Sequence, residues 1–198
     1  MTINLDFWPT LSFALVMFCW FVFAAVFLIQ KRPPSPPDKK RDRGSLVGIL
    51  LQGAGYAVVW AWHRRPFSPI GPLSETAEIM IAIITAVISL GSVLMVLAAM
   101  RVLGKEWSLT ARLVEGHNLI TTGPYSYVRH PIYAGMFGML LATGLAISYW
   151  MALLLGALIF AIGTAIRVRS EERLLREAFG AQFESYAQRV PGVIPYLL

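Results

Sequence analysis

Charge is what this 198-residue sequence has least of: Lys, Arg, Asp and Glu together make up 14% of it, and only 11 residues are acidic. A water-soluble globule of that composition has too little polar surface to cover itself, which excludes a soluble enzyme, and the high apolar content excludes a disordered tail. A single cysteine, Cys19, excludes an internal disulfide framework. The three histidines, at 63, 117 and 130, lack metal-ligand spacing, so no metal site is expected. No Gly-x-Gly-x-x-Gly, Walker or Gly-x-Ser-x-Gly motif is present, and no internal repeat. The pI of about 9.8 suggests nucleic acid, but no basic stripe carries interleaved aromatics on a polar domain, so no nucleic-acid partner is expected. No obligate protein partner is evident either.

What is present is apolar: 57% of residues are hydrophobic and the mean hydropathy is +0.62. A helix needs about 20 apolar residues to cross the roughly 30 Å hydrocarbon core. Four uncharged runs approach or exceed that length: Phe7–Ile29, Leu46–Trp62, Ile79–Met100 and Ile132–Ile166. Open backbone polar groups cannot face lipid, so each run is expected to be helical. As one helix the last run would extend roughly 52 Å, so it is expected to split near Ser148-Tyr149-Trp150 into an antiparallel hairpin. The expected fold is all-α: a polytopic integral membrane protein with five transmembrane helices and a C-terminal amphipathic helix.

Lysine and arginine set the expected orientation. All of the 17 except Arg64 and Arg65 fall in the first loop, in the segment before helix 4, or in the C-terminal tail. With five helices these three segments share one side, which the positive-inside rule makes cytoplasmic. The N-terminus is then outside, and the first run reads as an N-out helix rather than a cleaved signal peptide. An inner membrane or its equivalent is the expected location. Residues 31–45 form a proline-rich basic loop, expected to be extended and mobile, lying on anionic headgroups. After Glu171, Leu174, Leu175, Ala178, Phe179, Phe183, Tyr186 and Val190 recur at helical spacing. That amphipathic helix, interrupted at Gly180, can cap a pocket or rest on the bilayer interface, and the interface is the simpler position for it taken alone.

Two cytoplasmic segments are too rich in special residues to be mere connections. Between Gly104 and Tyr133 lie Trp107, His117, Tyr125, Arg129, His130 and Pro131, with glycines at 116 and 123 that permit close backbone approach. At the end of helix 5, Arg167 and Glu171 stand four apart and share one helical face. Each has a plainer reading: Arg129 as a snorkelling anchor, His130 as an interfacial polar group, Glu171 and Glu172 as solvated charges.

Taken in order, Gly-x-x-Trp107-Ser, His117-x-Leu-Ile, Gly123-x-Tyr125, Arg129-His-Pro-x-Tyr133-x-Gly135 and Glu171-Glu-x-x-Leu-x-x-x-Phe-Gly180, followed by Tyr186 and Pro195, resemble the isoprenylcysteine carboxyl methyltransferase family. Related phospholipid methyltransferases share much of the pattern. The resemblance covers roughly residues 100–196, dividing the chain into three N-terminal transmembrane helices (1–100) and a catalytic region (101–198). It implies S-adenosyl-L-methionine as cofactor, S-adenosyl-L-homocysteine as product, and a lipophilic acceptor entering from the bilayer among membrane lipids. It implies cofactor contacts for His117, Asn118, Leu119, Ile120, Tyr125, His130, Pro131, Ile132, Tyr133 and Glu171. Arg167, His130 and Arg129 become the candidate catalytic residues, with Arg167 turned towards the acceptor. A carboxylate acceptor needs no base, whereas an amine or thiol would need His130 as one. Three alternatives remain: amine methylation of phospholipid headgroups, an NADPH-dependent sterol-type reductase, and a non-catalytic interaction protein.

Overall fold

The computed structural model describes residues 6–29, 38–41, 44–65, 67–104, 112–114 and 118–193. Six helices account for nearly all of them: α1 (Phe7–Ile29), α2 (Gly44–Ala61), α3 (Glu75–Leu103), α4 (Pro131–Ile147), α5 (Trp150–Phe179) and α6 (Ala181–Arg189). α1, α2, α3 and α5 are long and apolar enough to cross a membrane, while α4 is an apolar helix of 17 residues. The long apolar run does divide at Ser148–Tyr149. There Ser148 donates its hydroxyl to Val59 O at 2.6 Å and its N–H to Gly144 O at 2.9 Å.

Local chemistry sets the helix ends. Ser74 caps α3 by accepting from the Ala77 N–H at 3.4 Å, and Glu75 and Glu78 follow in the first turn, where the helix dipole favours negative charge. Pro131 opens α4, where its missing N–H costs nothing. α5 does not stop at the polar stretch after Ile166. It runs unbroken to Phe179 and ends where Gly180 takes φ +49. The C-terminal amphipathic helix expected after Glu171 is therefore two pieces, the last turns of α5 and then α6.

The surface is inverted relative to a soluble protein. Leu28, Leu50, Phe21, Val87 and Leu94 are exposed, while Gln52, Thr85, Ser89 and Thr143 are fully buried. Small residues let the helix backbones meet. A Cβ on Gly55 would fall 2.7 Å from Gly156 O, and one on Gly156 would fall 2.8 Å from Gly55 O, so α2 and α5 touch main chain to main chain. Gly135 and Gly138 of α4 leave room for α3, Gly135 for the Val96 side chain and the Ser92 carbonyl and Gly138 for the Ser92 side chain. The glycines of the α4–α5 hairpin thus serve mainly to admit α2 and α3. Polar pairs cross the interior between helices, Trp20 Nε1 to Thr143 Oγ1 at 3.0 Å and Gln52 Nε2 to Thr164 Oγ1 at 2.9 Å.

Among the described residues, two short strands depart from helix. β1 (Asp38–Arg41) pairs antiparallel with β2 (Arg112–Val114), Arg41 opposite Arg112. The basic loop is extended here, as its composition suggests, but these residues pair with the segment preceding α4.

Candidate active site

The site gathers where the N-terminus of α4, the polar end of α5 and the stretch after α6 converge. A single 3₁₀ turn over Gly123–Ser126 leads into it. Gly123 takes φ +61, and a Cβ there would also lie 3.0 Å from Val102 Cγ2, so both backbone and space call for glycine. Tyr125 is buried, and its carbonyl accepts from the Tyr186 hydroxyl of α6 at 2.6 Å. With Phe183 also buried, α6 packs onto the protein through its apolar face. Burial, with Glu171 and Tyr186 adding to it, holds the Tyr125 phenol neutral well above its ordinary range.

The chain after α6 returns along the start of α4. Arg129 N–H donates to Pro191 O at 2.8 Å and His130 N–H to Gly192 O at 2.9 Å. The Arg129 side chain clamps the same junction. Its Nη1 donates to Ala187 O and Val190 O, and its Nε and Nη2 reach Glu172 Oε1 at 2.9 and 2.7 Å. Glu172 Oε2 accepts from Arg176 Nη2 at 3.0 Å. Both carboxylate oxygens of Glu172 are therefore engaged, and its side chain is only 7% exposed.

Glu171 sits one residue earlier, about 100° around the helix, and is 24% exposed. Its Oε1 accepts from the Tyr133 hydroxyl and lies 3.7 Å from Arg167 Nη2. His130 bridges the two acids, Nδ1 at 3.4 Å from Glu171 Oε2 and Nε2 at 3.3 Å from Glu172 Oε1. Burial disfavours the imidazolium, but hydrogen bonds to Glu171 and Glu172 and their charges outweigh it, so the His130 pKa is raised. The Tyr133 ring lies parallel to that of His130, centroids 5.7 Å apart, and the Arg167 guanidinium carbon stands 4.8 Å over the Tyr133 ring. Arg167 Nη1 donates to Gln52 Oε1 at 3.2 Å.

Tyr125, His130, Tyr133, Arg167 and Glu171 thus come together as the sequence reading grouped them. Pro131 is buried in the first turn of α4, while Ile132 packs towards the core of Cys19, Phe23 and Met139. Asn118 is exposed, and Leu119 and Ile120 are half-buried, on the stretch that leads to the 3₁₀ turn. His117, Trp107 and Pro195 lie outside the described residues. Two members were not in the sequence-based set. Glu172 was read only as a solvated charge; its partner Arg129 lies 43 positions away, beyond any helical spacing rule. Gln52 carried a usable signal, being the one amide side chain in the uncharged Leu46–Trp62 run, where a polar residue is functional by default.

Residues 80–177 match the isoprenylcysteine carboxyl methyltransferase family. Over 81 residues the chain is 37% identical to a protein-S-isoprenylcysteine O-methyltransferase of Schizosaccharomyces pombe, covering 41% of this chain and 34% of the relative. It is 34% identical over 86 residues to protein-S-isoprenylcysteine O-methyltransferase B of Arabidopsis thaliana, covering 43% and 44%. It is also 37% identical over 102 residues to the nickel-cobalt-cadmium resistance protein NccN of Alcaligenes xylosoxydans xylosoxydans, covering 50% and 46%. The chain spans less than half the length of each of these relatives.

Proposed function

We propose that this chain, which matches the isoprenylcysteine carboxyl methyltransferase family over residues 80–177, is an integral membrane methyltransferase that uses S-adenosylmethionine to methylate a carboxylate on a lipophilic acceptor. In this reading all five long apolar segments, α4 included, cross the bilayer. The end bearing the basic residues and the site faces the cytoplasm, with the C-terminus, and the N-terminus lies outside. Residues 1–100 form a membrane scaffold and 101–198 the catalytic region, with Gln52 reaching across from the scaffold to Arg167.

The donor set suits such a cofactor. It has an ammonium that a carboxylate can take, ribose hydroxyls that need polar partners and an adenine ring that packs on aromatic groups; Glu171, His130, Tyr125 and Tyr133 offer those chemistries within one cluster. When bound, the cofactor supplies a methyl group on a sulfonium, already activated for displacement. The protein's work is therefore to align the partners and exclude water. Glu171 is the more reachable acid, because its side chain is 24% exposed against 7% for Glu172. Arg167, held by Gln52 and stacked on Tyr133, orients a carboxylate acceptor by charge and bidentate geometry. A carboxylate is ionised at neutral pH, so no proton need be removed from it.

The single observation carrying the proposal is this pairing of a reachable acid, Glu171, with a buried arginine, Arg167, at one end of an apolar bundle. Titration of the purified protein with S-adenosylhomocysteine and with NADPH tests the cofactor; saturable binding of the first alone is expected, and binding of NADPH alone or of neither overturns the proposal. Labelled methyl transfer into a lipid extract then tests the acceptor. Methanol released by alkali marks a methyl ester, whereas an alkali-stable N-methyl product overturns the carboxylate assignment.

A further inference from the structure

At the opposite end of the bundle, where α1 and α3 begin and α2 and α4 end, Arg64 is buried, with only 6% of its surface exposed. Its Nη2 donates to Leu145 O at 3.0 Å and Ala146 O at 2.8 Å, and its backbone N–H to Ile147 O at 2.8 Å, which closes the C-terminus of α4. That accounts for one side of the guanidinium. Nε and Nη1 are buried with no hydrogen-bond partner, and among the described residues no carboxylate lies within ion-pair distance. A buried charge without a counter-ion is costly, so the protein fold alone leaves Arg64 in an unfavourable state.

Arg64 is also a wall of a shallow crevice, partly open to the outside, that Trp8, Pro9, Leu73, Glu78, Ile81 and Leu145 help to line. The loop carrying Arg64 is held there under strain. Phe67 adopts φ +62, a conformation a bulky residue rarely takes, and its ring packs edge-on against Phe13 of α1 at 5.3 Å. Arginine at the foot of a mostly apolar crevice, at the level where the apolar helices end, is the arrangement that a phosphate with attached acyl chains would fill.

We propose that Arg64 binds the phosphate of a membrane phospholipid headgroup in the leaflet opposite the methyl-transfer site. The oxyanion supplies the counter-charge for the guanidinium, while Ile81, Leu73 and Leu145 receive the apolar part of the molecule next to it. The shared chemistry is a phosphate oxyanion, and the acyl chains distinguish a lipid from a free anion. The inference is separate from methyl transfer, since neither Arg64 nor the crevice touches the cluster at Glu171.

Native mass spectrometry of the delipidated full chain in detergent tests it, with phosphatidylglycerol, phosphatidylethanolamine, a diacylglycerol of the same acyl chains and inorganic phosphate as probes. Both phospholipids are expected to be retained and the diacylglycerol not, with Arg64→Gln lowering retention on the order of tenfold, the scale of one lost charged hydrogen bond. Because Arg64→Gln also removes the closure of α4, Ile81→Trp is the second variant: it fills the crevice, leaves the bonds to Leu145 and Ala146 in place, and is expected to lower retention without changing S-adenosylhomocysteine affinity. Equal retention of diacylglycerol, or undiminished retention in Ile81→Trp, overturns the proposal. Displacement of the lipid by inorganic phosphate at comparable concentration overturns the lipid assignment in favour of a soluble anion.

Discussion

Arg129 and Glu172 meet through two hydrogen bonds to a single carboxylate oxygen, Nε at 2.9 Å and Nη2 at 2.7 Å, and this pair joins the start of α4 to the polar end of α5. The remaining guanidinium nitrogen holds the carbonyls of Ala187 and Val190, so the same residue fastens the chain after α6. Breaking a buried ion pair by removing one partner costs about 3–5 kcal/mol. Arg129→Ala is therefore expected to lower thermal stability in detergent and S-adenosylhomocysteine affinity together. Arg129→Lys keeps the charge but cannot fork to Glu172 and two carbonyls, and should recover only part of both. Full stability in Arg129→Ala would show that the clamp carries no load.

Glu171 and Glu172 differ by one position and by environment, which separates their expected phenotypes. Glu172→Gln should reduce stability, because Arg129, His130 and Arg176 all lose a charged partner. Glu171→Gln should leave the melting temperature nearer to that of the parent and weaken cofactor binding by about tenfold, the scale of one charged hydrogen bond. Calorimetric titration beside thermal scans decides it, and equal loss of stability in both variants would remove the distinction.

Arg167 and Gln52 are expected to act on turnover. Arg167→Ala should depress kcat far more than cofactor affinity, since the arginine is assigned to the acceptor. Gln52→Leu removes the side chain that holds Arg167 Nη1, and misplacement of an orienting group costs up to about 10²-fold in rate. Gln52 is thus a positioning residue. Its signature is a fall in kcat with an unchanged Kd for S-adenosylhomocysteine, and parallel loss of both would reduce it to a packing residue.

The raised pKa of His130 has a definite sign for stability. The folded state holds the imidazolium more tightly than the unfolded chain, so the contribution is complete below the ordinary imidazole pKa of about 6.5 and fades as pH rises through the elevated folded value. Thermal stability is expected to decline over that rise, and the decline should flatten in His130→Gln. An identical profile in the variant would exclude His130 as the titrating group.

At Gly55 and Gly156 propensity and packing pull in opposite directions. Alanine favours a helix interior over glycine by about 1 kcal/mol, but a Cβ at either position would lie within 2.8 Å of the other residue's carbonyl oxygen. Gly55→Ala is expected to destabilise on balance, by about 1–3 kcal/mol, the usual cost of overpacking. A rise in melting temperature would show that α2 and α5 separate easily.

Composition and hydropathy determined much by themselves. The span Phe7–Ile29 is α1 to the residue, the long run breaks at Ser148–Tyr149 as its length requires, and Arg167 shares a face with Glu171 because helical period alone decides that. Membrane-length helices are legible because bilayer thickness and backbone hydrogen bonding leave few other options. The ordered motifs likewise brought Tyr125, His130, Tyr133 and Glu171 into one group before any fold was known.

Tertiary structure alone decided which charge meets which. Arg129 and Glu172, or Gln52 and Arg167, are joined across 43 and 115 positions by helix packing that no local period encodes. It also made unequal two adjacent glutamates that are identical in sequence terms: a turn of about 100° between them sends Glu172 into the Arg129 clamp and leaves Glu171 partly open. The scarcity of charge says that a membrane surrounds this protein. Where the few charges stand relative to one another is a property of the packed helices, because burial turns each into a group that must find its partner in three dimensions.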